Sequence, residues 1–398
     1  MRRALLLSLS PPLLFVIATP AAAAPVTTDA PVATLAADAE DRWVAFDLTP
    51  GNQIRFAMSL DDRPATAILD TGVSYSVVAR HFATAGGMTV RQEGRADVVG
   101  GTVEVGLVAT RSISLGGLTR SGGTLAVADL PAAATGSSSA VDVLVGRDLT
   151  AGYALDIDYA ARRFRLLRSG RMPFLGVAAP LSILPTRQIY VTSITLNGAR
   201  LHPMIVDTGD GSAVTVNAAG WARTGLPAPP TSTVSFGLAG PVVADLSIVP
   251  ALSVGELAAR NVEVRVEPAG GFSDTVGAAG RIGSGFLQRY RVLLDPGAGH
   301  MILAPGADAD RPPLRSTSGL LVGLAGDRLR ILHVMRNSPA AAAGWRDGDT
   351  ICAVDGQAVT AAYVTSPLAS WSTGRPGRVV RLTPCGGGPR PLTLRRFY

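Results

Sequence analysis

The segment Ala67-Ile68-Leu69-Asp70-Thr71-Gly72 recurs as Met204-Ile205-Val206-Asp207-Thr208-Gly209, 137 residues further on (207 − 70 = 137). The same offset relates Val143-Leu144-Val145-Gly146 to Arg281-Ile282-Gly283, and Leu155-Asp156-Ile157-Asp158 to Val292-Leu293-Leu294-Asp295. Ser114-Leu115-Gly116 faces Ser253-Val254-Gly255 at 139, a slip of two residues inside a loop. A lone Asp-Thr-Gly is a weak motif, and as a single copy it reads as a turn. Two copies, each after an apolar strand and each followed 76 residues later by the Gly of a matching short segment, Val143-Leu144-Val145-Gly146 and Arg281-Ile282-Gly283, mark a duplicated unit of about 130 residues. Short β-branched and Leu-rich runs punctuated by Gly, Pro, Asn and Asp fill residues 43–303, so the unit is expected to be all-β.

An Asp at the end of a buried strand, turned outward by Thr-Gly, is a carboxylate in a fixed place. If the halves pack about a pseudo-twofold axis, the turns meet and the carboxylates face each other. The Thr hydroxyls are then placed to bond across to the other copy. Like charges about 3 Å apart cannot both ionise, so the pair shares one proton. The ionised member can activate a water while the protonated one polarises a carbonyl, hydrolysis without a covalent intermediate.

These residues resemble an aspartic protease, retropepsin-like rather than the larger pepsin type, with both lobes in one chain. The resemblance covers about residues 43–303. It implies two pseudo-twofold-related β-barrel lobes, residues 43–170 and 171–303, with Asp70 and Asp207 as the catalytic dyad. Thr71, Gly72, Thr208 and Gly209 would support it, and Gly146 and Gly283 would lie beneath the turns. Val98-Val99-Gly100-Gly101-Thr102 reads as a hairpin with a Gly-Gly turn, matched by Phe236-Gly237-Leu238-Ala239-Gly240. Gly100, Gly101 and Gly237 thus mark the two flaps, with Gly100 placed opposite Gly237 in the repeat. One departure is that Val73 and Asp210 follow the triplets; an inward-pointing Asp210 would disfavour ionisation of Asp207.

Residues 304–315 are polar and Pro-rich, a linker. Beyond them come a strand, a short helix with Ser338 as N-cap and Pro339 at its first position, Gly348-Asp349, a second strand and an Asp355-Gly356 turn. In that order they resemble a PDZ domain over residues 316–398. The resemblance implies a peptide-binding loop at Gly319, Leu320, Leu321, Val322 and Gly323, and a C-terminal peptide as ligand.

Arg2 and Arg3, an apolar run from Ala4 to Ile17 and small residues Ala21 to Ala24 read as a signal peptide, 1–24, followed by a linker, 25–42. A periplasmic or secreted protein with no stable membrane span after cleavage is expected. In such a compartment the two cysteines, Cys352 and Cys385, favour one disulfide. The four histidines have no ligand spacing, and neither phosphate-binding nor dinucleotide-binding glycine motifs occur, so neither metal nor cofactor is expected. No G-x-S-x-G elbow supports a serine nucleophile.

The net charge of +6 comes from Arg alone, and residues 311–398 hold twelve Arg against four Asp and no Glu. That charge suits acidic or carboxylate-bearing partners and does not argue for nucleic acid. The function expected is therefore an exported aspartic endopeptidase acting on peptide or protein substrates. The competing expectation is a non-catalytic envelope peptide-binding protein built on a degenerate protease platform.

Overall fold

The computed structural model describes residues 31–136 and 139–398. The expected signal segment, 1–24, and residues 25–30 lie outside them. With 48% strand and 12% helix the protein is mainly β, and the strands among the described residues fall into three sheets.

The two repeats carry the same strand order. In the first it runs Val44–Leu48, Ile54–Leu60, Arg63–Leu69, Val143–Val145, Val77–Ala79, Thr124–Ala128, Gly101–Ala109, Arg91–Val98. In the second it runs Ser182–Leu184, Ile189–Leu196, Ala199–Asp207, Gly280–Gly283, Val214–Asn217, Leu257–Glu267, Gly240–Val254, Thr231–Gly237. The strands that end at the Asp-Thr-Gly turns, Arg63–Leu69 and Ala199–Asp207, are central. Apolar runs such as Ala67-Ile68-Leu69 and Met204-Ile205-Val206 bury both faces there.

The equivalent strands Ala154–Asp158 and Tyr290–Asp295 pair antiparallel, with Leu155 opposite Leu294 and Ile157 opposite Val292. Under the 137-residue offset this pairing maps onto itself, so a local twofold axis passes between them. This shared sheet and one continuous apolar core join the repeats. Asp156, buried in the shared sheet, is held by Arg165 Nε at 2.9 Å and Arg291 Nε at 3.0 Å, so its charge does not stand unpaired.

Residues 31–42 are not the linker expected. Val32–Leu35 pairs antiparallel with Leu118–Ser121, and Ala39–Asp41 forms a short helical turn with Ala39 buried. Paired in this way, Val32–Leu35 covers a strand that would otherwise end the sheet with open backbone groups.

The C-terminal unit has its own core. Its sheet runs Leu320–Ala325, Arg328–Val334, Thr350–Val354, Val379–Pro384, Arg390–Thr393. Ser338 caps the short helix Pro339–Ala342, accepting from Ala341 N at 3.1 Å. Cys352 and Cys385 are disulfide-bonded, with Cα atoms 5.0 Å apart. Closing a 33-residue separation constrains the unfolded chain, so replacing both with Ala should cost this unit about 3–4 kcal/mol. Denaturant unfolding followed by the buried Trp371 would read the loss; an unchanged midpoint would refute it.

The unit is fastened to the second repeat at strand Thr231–Gly237. Arg336 donates to Asp245 Oδ1 at 2.9 Å and Pro229 O at 3.0 Å, and Thr231 Oγ1 donates to Arg336 O at 2.6 Å. The buried His333 lies 2.8 Å from Ser232 Oγ through Nε2.

Candidate active site

The first turn leaves a strand that runs parallel to Val143–Val145, with Asp70 N donating to Val145 O at 2.9 Å. The second leaves a strand parallel to Gly280–Gly283. The turns meet between the repeats. Thr71 N donates to Thr208 Oγ1 at 3.1 Å and Thr208 N to Thr71 Oγ1 at 3.0 Å. The hydroxyls donate onward, Thr71 Oγ1 to Val206 O and Thr208 Oγ1 to Leu69 O, both at 2.7 Å. Each hydroxyl thus both accepts and donates, and the four bonds exchange when the halves are exchanged.

Gly72 and Gly209 are required by close approach. A Cβ on Gly72 would collide with the Asp207 carboxyl, and one on Gly209 with that of Asp70. Each carboxyl therefore lies against the glycine of the opposite turn, and the two face each other across the local axis. Gly72 N donates to Asp70 Oδ1 at 3.0 Å; Gly209 N and Asp210 N donate to Asp207 Oδ1, also at 3.0 Å. The downstream glycines close up beneath: Gly146 N donates to Ser76 Oγ at 2.9 Å, and a Cβ on Gly283 would strike the carbonyls of Asp210 and Ser212.

Burial drives the electrostatics. It pushes Asp70 up to about 6 against the opposing Gly72 N–H. Asp207 is raised well above the usual carboxylate range by burial and then by the charges of Asp70 and Asp210. Two raised, interacting carboxyls titrate as a pair and hold one proton between them.

Sequence reasoning placed Asp210 beside the dyad but missed its partner, Arg281. Strand register sets Arg281 opposite Ile205, the place Leu144 takes opposite Ile68 in the first repeat. Arg281 Nε donates to Asp210 Oδ2 at 2.9 Å, and Nη1 lies 2.8 Å from Glu267 Oε1. Nε is also 3.9 Å from Asp207 Oδ2. Burial pushes Asp210 up, but Arg281 and then Arg265 bring it down to about 2. It is therefore a carboxylate at working pH and answers Arg281 rather than joining the dyad. The signal was in the repeat: a cation in an apolar strand position coincides with an anion at the place of Val73.

Both Asp carboxyls face a cleft of about 850 Å³. Two hairpins, residues 91–109 and 231–254, reach over it, and their tips touch. Ala239 N donates to Val99 O at 3.3 Å, and a Cβ on Gly237 would strike that same carbonyl. The expected register at the tips needs correcting. Val98 lies opposite Gly101 and Gly237 opposite Gly240, so Gly101 corresponds to Gly240, an offset of 139, and not Gly100 to Gly237. The tight turn itself is Val99-Gly100; Gly101 opens the return strand at φ +142°.

Gly319, Leu320, Leu321, Val322 and Gly323 lie in the C-terminal unit, and none lines the cleft. Two of the N–H groups expected to receive a peptide carboxylate are already engaged. Gly319 N donates to Ser316 Oγ at 2.9 Å and Leu320 N to Ser318 Oγ at 3.1 Å, because serine side chains close this loop on itself. Strand Leu320–Ala325 is nevertheless an open sheet edge. Among the described residues no group of three or more His, Cys, Asp or Glu could hold a metal ion.

No curated protein matches this chain. Residues 56–149 match the family model described as aspartyl protease. That segment contains the first Asp-Thr-Gly turn, the first hairpin tip and Gly146, and the match supports a retropepsin-like aspartic protease domain there.

Proposed function

We propose that the protein is an aspartic-type endopeptidase whose dyad is Asp70 and Asp207, one from each repeat. The observation that carries this reading is the facing pair of carboxyls, each against the opposite turn's glycine, fixed by crossed threonines at the floor of a cleft roofed by two hairpins. In the singly protonated pair, the ionised carboxylate takes a proton from water as it attacks the peptide carbonyl. The protonated carboxyl polarises that carbonyl and then supplies a proton to the leaving amine. The paired carboxyls and their N–H donors do all of this.

The second repeat is read as the second protease lobe because it repeats the strand order and contributes half of the threonine cross. The C-terminal unit is read as a PDZ-like domain that recruits partners along the edge strand Leu320–Ala325 by strand addition. Its disulfide suits an oxidising, extracytoplasmic compartment.

The pH profile tests the reading. Below about pH 6 both carboxyls are protonated and no base is available, so kcat/KM should rise as pH is raised through about 6. Cleavage of a mixed peptide library by the purified protein between pH 4 and pH 8 would show this. Absence of cleavage across that range, or a rate independent of pH through 6, would overturn it.

A further inference from the structure

The cleft walls differ between the repeats along one row of the sheet. Cross-strand partners project on the same face, so register identifies the row. In the first repeat it is Ile68, Leu144, Val77, Ala126 and Leu107. All five line the cleft, and all are apolar. In the second repeat the corresponding row is Ile205, Arg281, Thr215, Arg265 and Leu246. Its two arginines line the cleft. One wall has therefore exchanged Leu144 and Ala126 for cations.

The two arginines are not equivalent. Arg281 is committed to Asp210 and Glu267. Arg265 is not: its Nε is buried without a hydrogen-bond partner. The only carboxylate paired with it among the described residues, Glu263, stands 3.6 Å away, which is ion-pair distance without a bond. The Arg265 side chain lines the cleft partly exposed, and no hydrogen bond among the described residues engages its guanidinium, so a ligand in the cleft can supply the missing acceptor. A carboxylate fits that donor best, since charge-assisted bonds of this kind are short and strong.

We propose that Arg265 reads an acidic side chain of the substrate. Preferred peptides then carry Glu or Asp against the second repeat and an apolar residue against the first, on opposite sides of the cut bond. This rests on the cleft being the substrate site of the proposed endopeptidase and names its substrate class.

The test uses peptides with a central Leu and a single Glu walked through each neighbouring position, each paired with its Gln counterpart. Binding to the full-length Asp70→Asn protein is measured by fluorescence anisotropy, and cleavage is measured with the parent. In one register Glu should bind about tenfold tighter than Gln, the factor given by one charge-assisted bond of about 1.4 kcal/mol. Adding Arg265→Ala, the residue the first repeat carries at Ala126, should remove that ratio, and Arg265→Lys should keep part of it. Equal binding of Glu and Gln peptides in every register, or a ratio that survives Arg265→Ala, overturns the proposal. A Glu preference in binding with no cleavage by the parent upholds it and overturns the endopeptidase reading instead. If no peptide binds, both fall.

Discussion

Replacing Asp70 or Asp207 by Asn is expected to lower kcat for peptide cleavage by about 10²–10⁴-fold, the range that positioned acid–base groups contribute. Asn keeps the shape of the side chain, and its Oδ1 still accepts the N–H of Gly72 or Gly209. It cannot hold the negative charge that makes water a nucleophile, nor share a proton across the pair. Stability should move the other way. Because the folded protein holds Asp70 at about 6, above its ordinary value, the native state binds the extra proton between those limits. Stability due to this group is therefore full in acid and falls as pH rises through about 6. Asp70→Asn removes that loss, so the variant should be at least as stable as the parent at pH 7, with the gap closing below the ordinary Asp range. Steady-state cleavage and urea unfolding at pH 7 and pH 4 separate the two effects. Undiminished cleavage by either Asn variant would end the dyad assignment.

The meeting of the two Asp-Thr-Gly turns was legible because duplication prints the same message twice. Asp70 and Asp207 sit in matched contexts, and matched contexts fold to matched strands in matched order. The same logic was less reliable at the tips. The offset drifts from 137 at the turns to 138 where Thr215 takes the place of Val77, and to 139 at the hairpins. Aligning Gly100 with Gly237 assumed a constant offset, and only hydrogen-bonded register showed otherwise. The meeting of the tips was not legible, since it depends on how the repeats pack. Residues 31–42 looked like a linker because a four-residue edge strand has almost no periodicity of its own. The loop at Gly319 followed the wording of a resemblance, while Ser316 and Ser318, which close it, belong to no motif. Arg281 was the largest omission. It stood in a repeat anchor, but its meaning depends on Asp210 and Glu267, which only the sheet brings to it.

That dependence sets the second large effect. Arg281→Leu alone should destabilise the two-repeat body by about 3–5 kcal/mol, because it leaves Asp210 and Glu267 buried without their cation. The deficit has a sign in pH. Burial raises Asp210, but Arg281 and Arg265 hold it at about 2, so in the parent its contribution is present above the ordinary Asp range and lost as pH falls through about 2. Without Arg281 the Asp210 carboxyl loses the charge that lowers it most, so the penalty should be greatest at pH 7 and shrink in acid as Asp210 protonates. The triple variant Arg281→Leu, Asp210→Val, Glu267→Gln tests whether the charges or the packing matter. Leu and Val are what the first repeat carries at positions 144 and 73, so this body should recover most of the lost stability, as buried ion groups replaced together often do. Its dyad will not be unchanged. Asp207 loses both the cation at 3.9 Å that favours its charge and the Asp210 carboxylate that opposes it. Asp70, whose ionisation sets the pH at which activity appears, also loses the Asp210 charge that raises it, so that pH should move down in the triple variant. Urea unfolding and pH–rate profiles of the three proteins decide the matter. A single variant as stable as the parent would show that the triad does not hold this wall, and a triple variant no better than the single would show that packing, not charge, was lost.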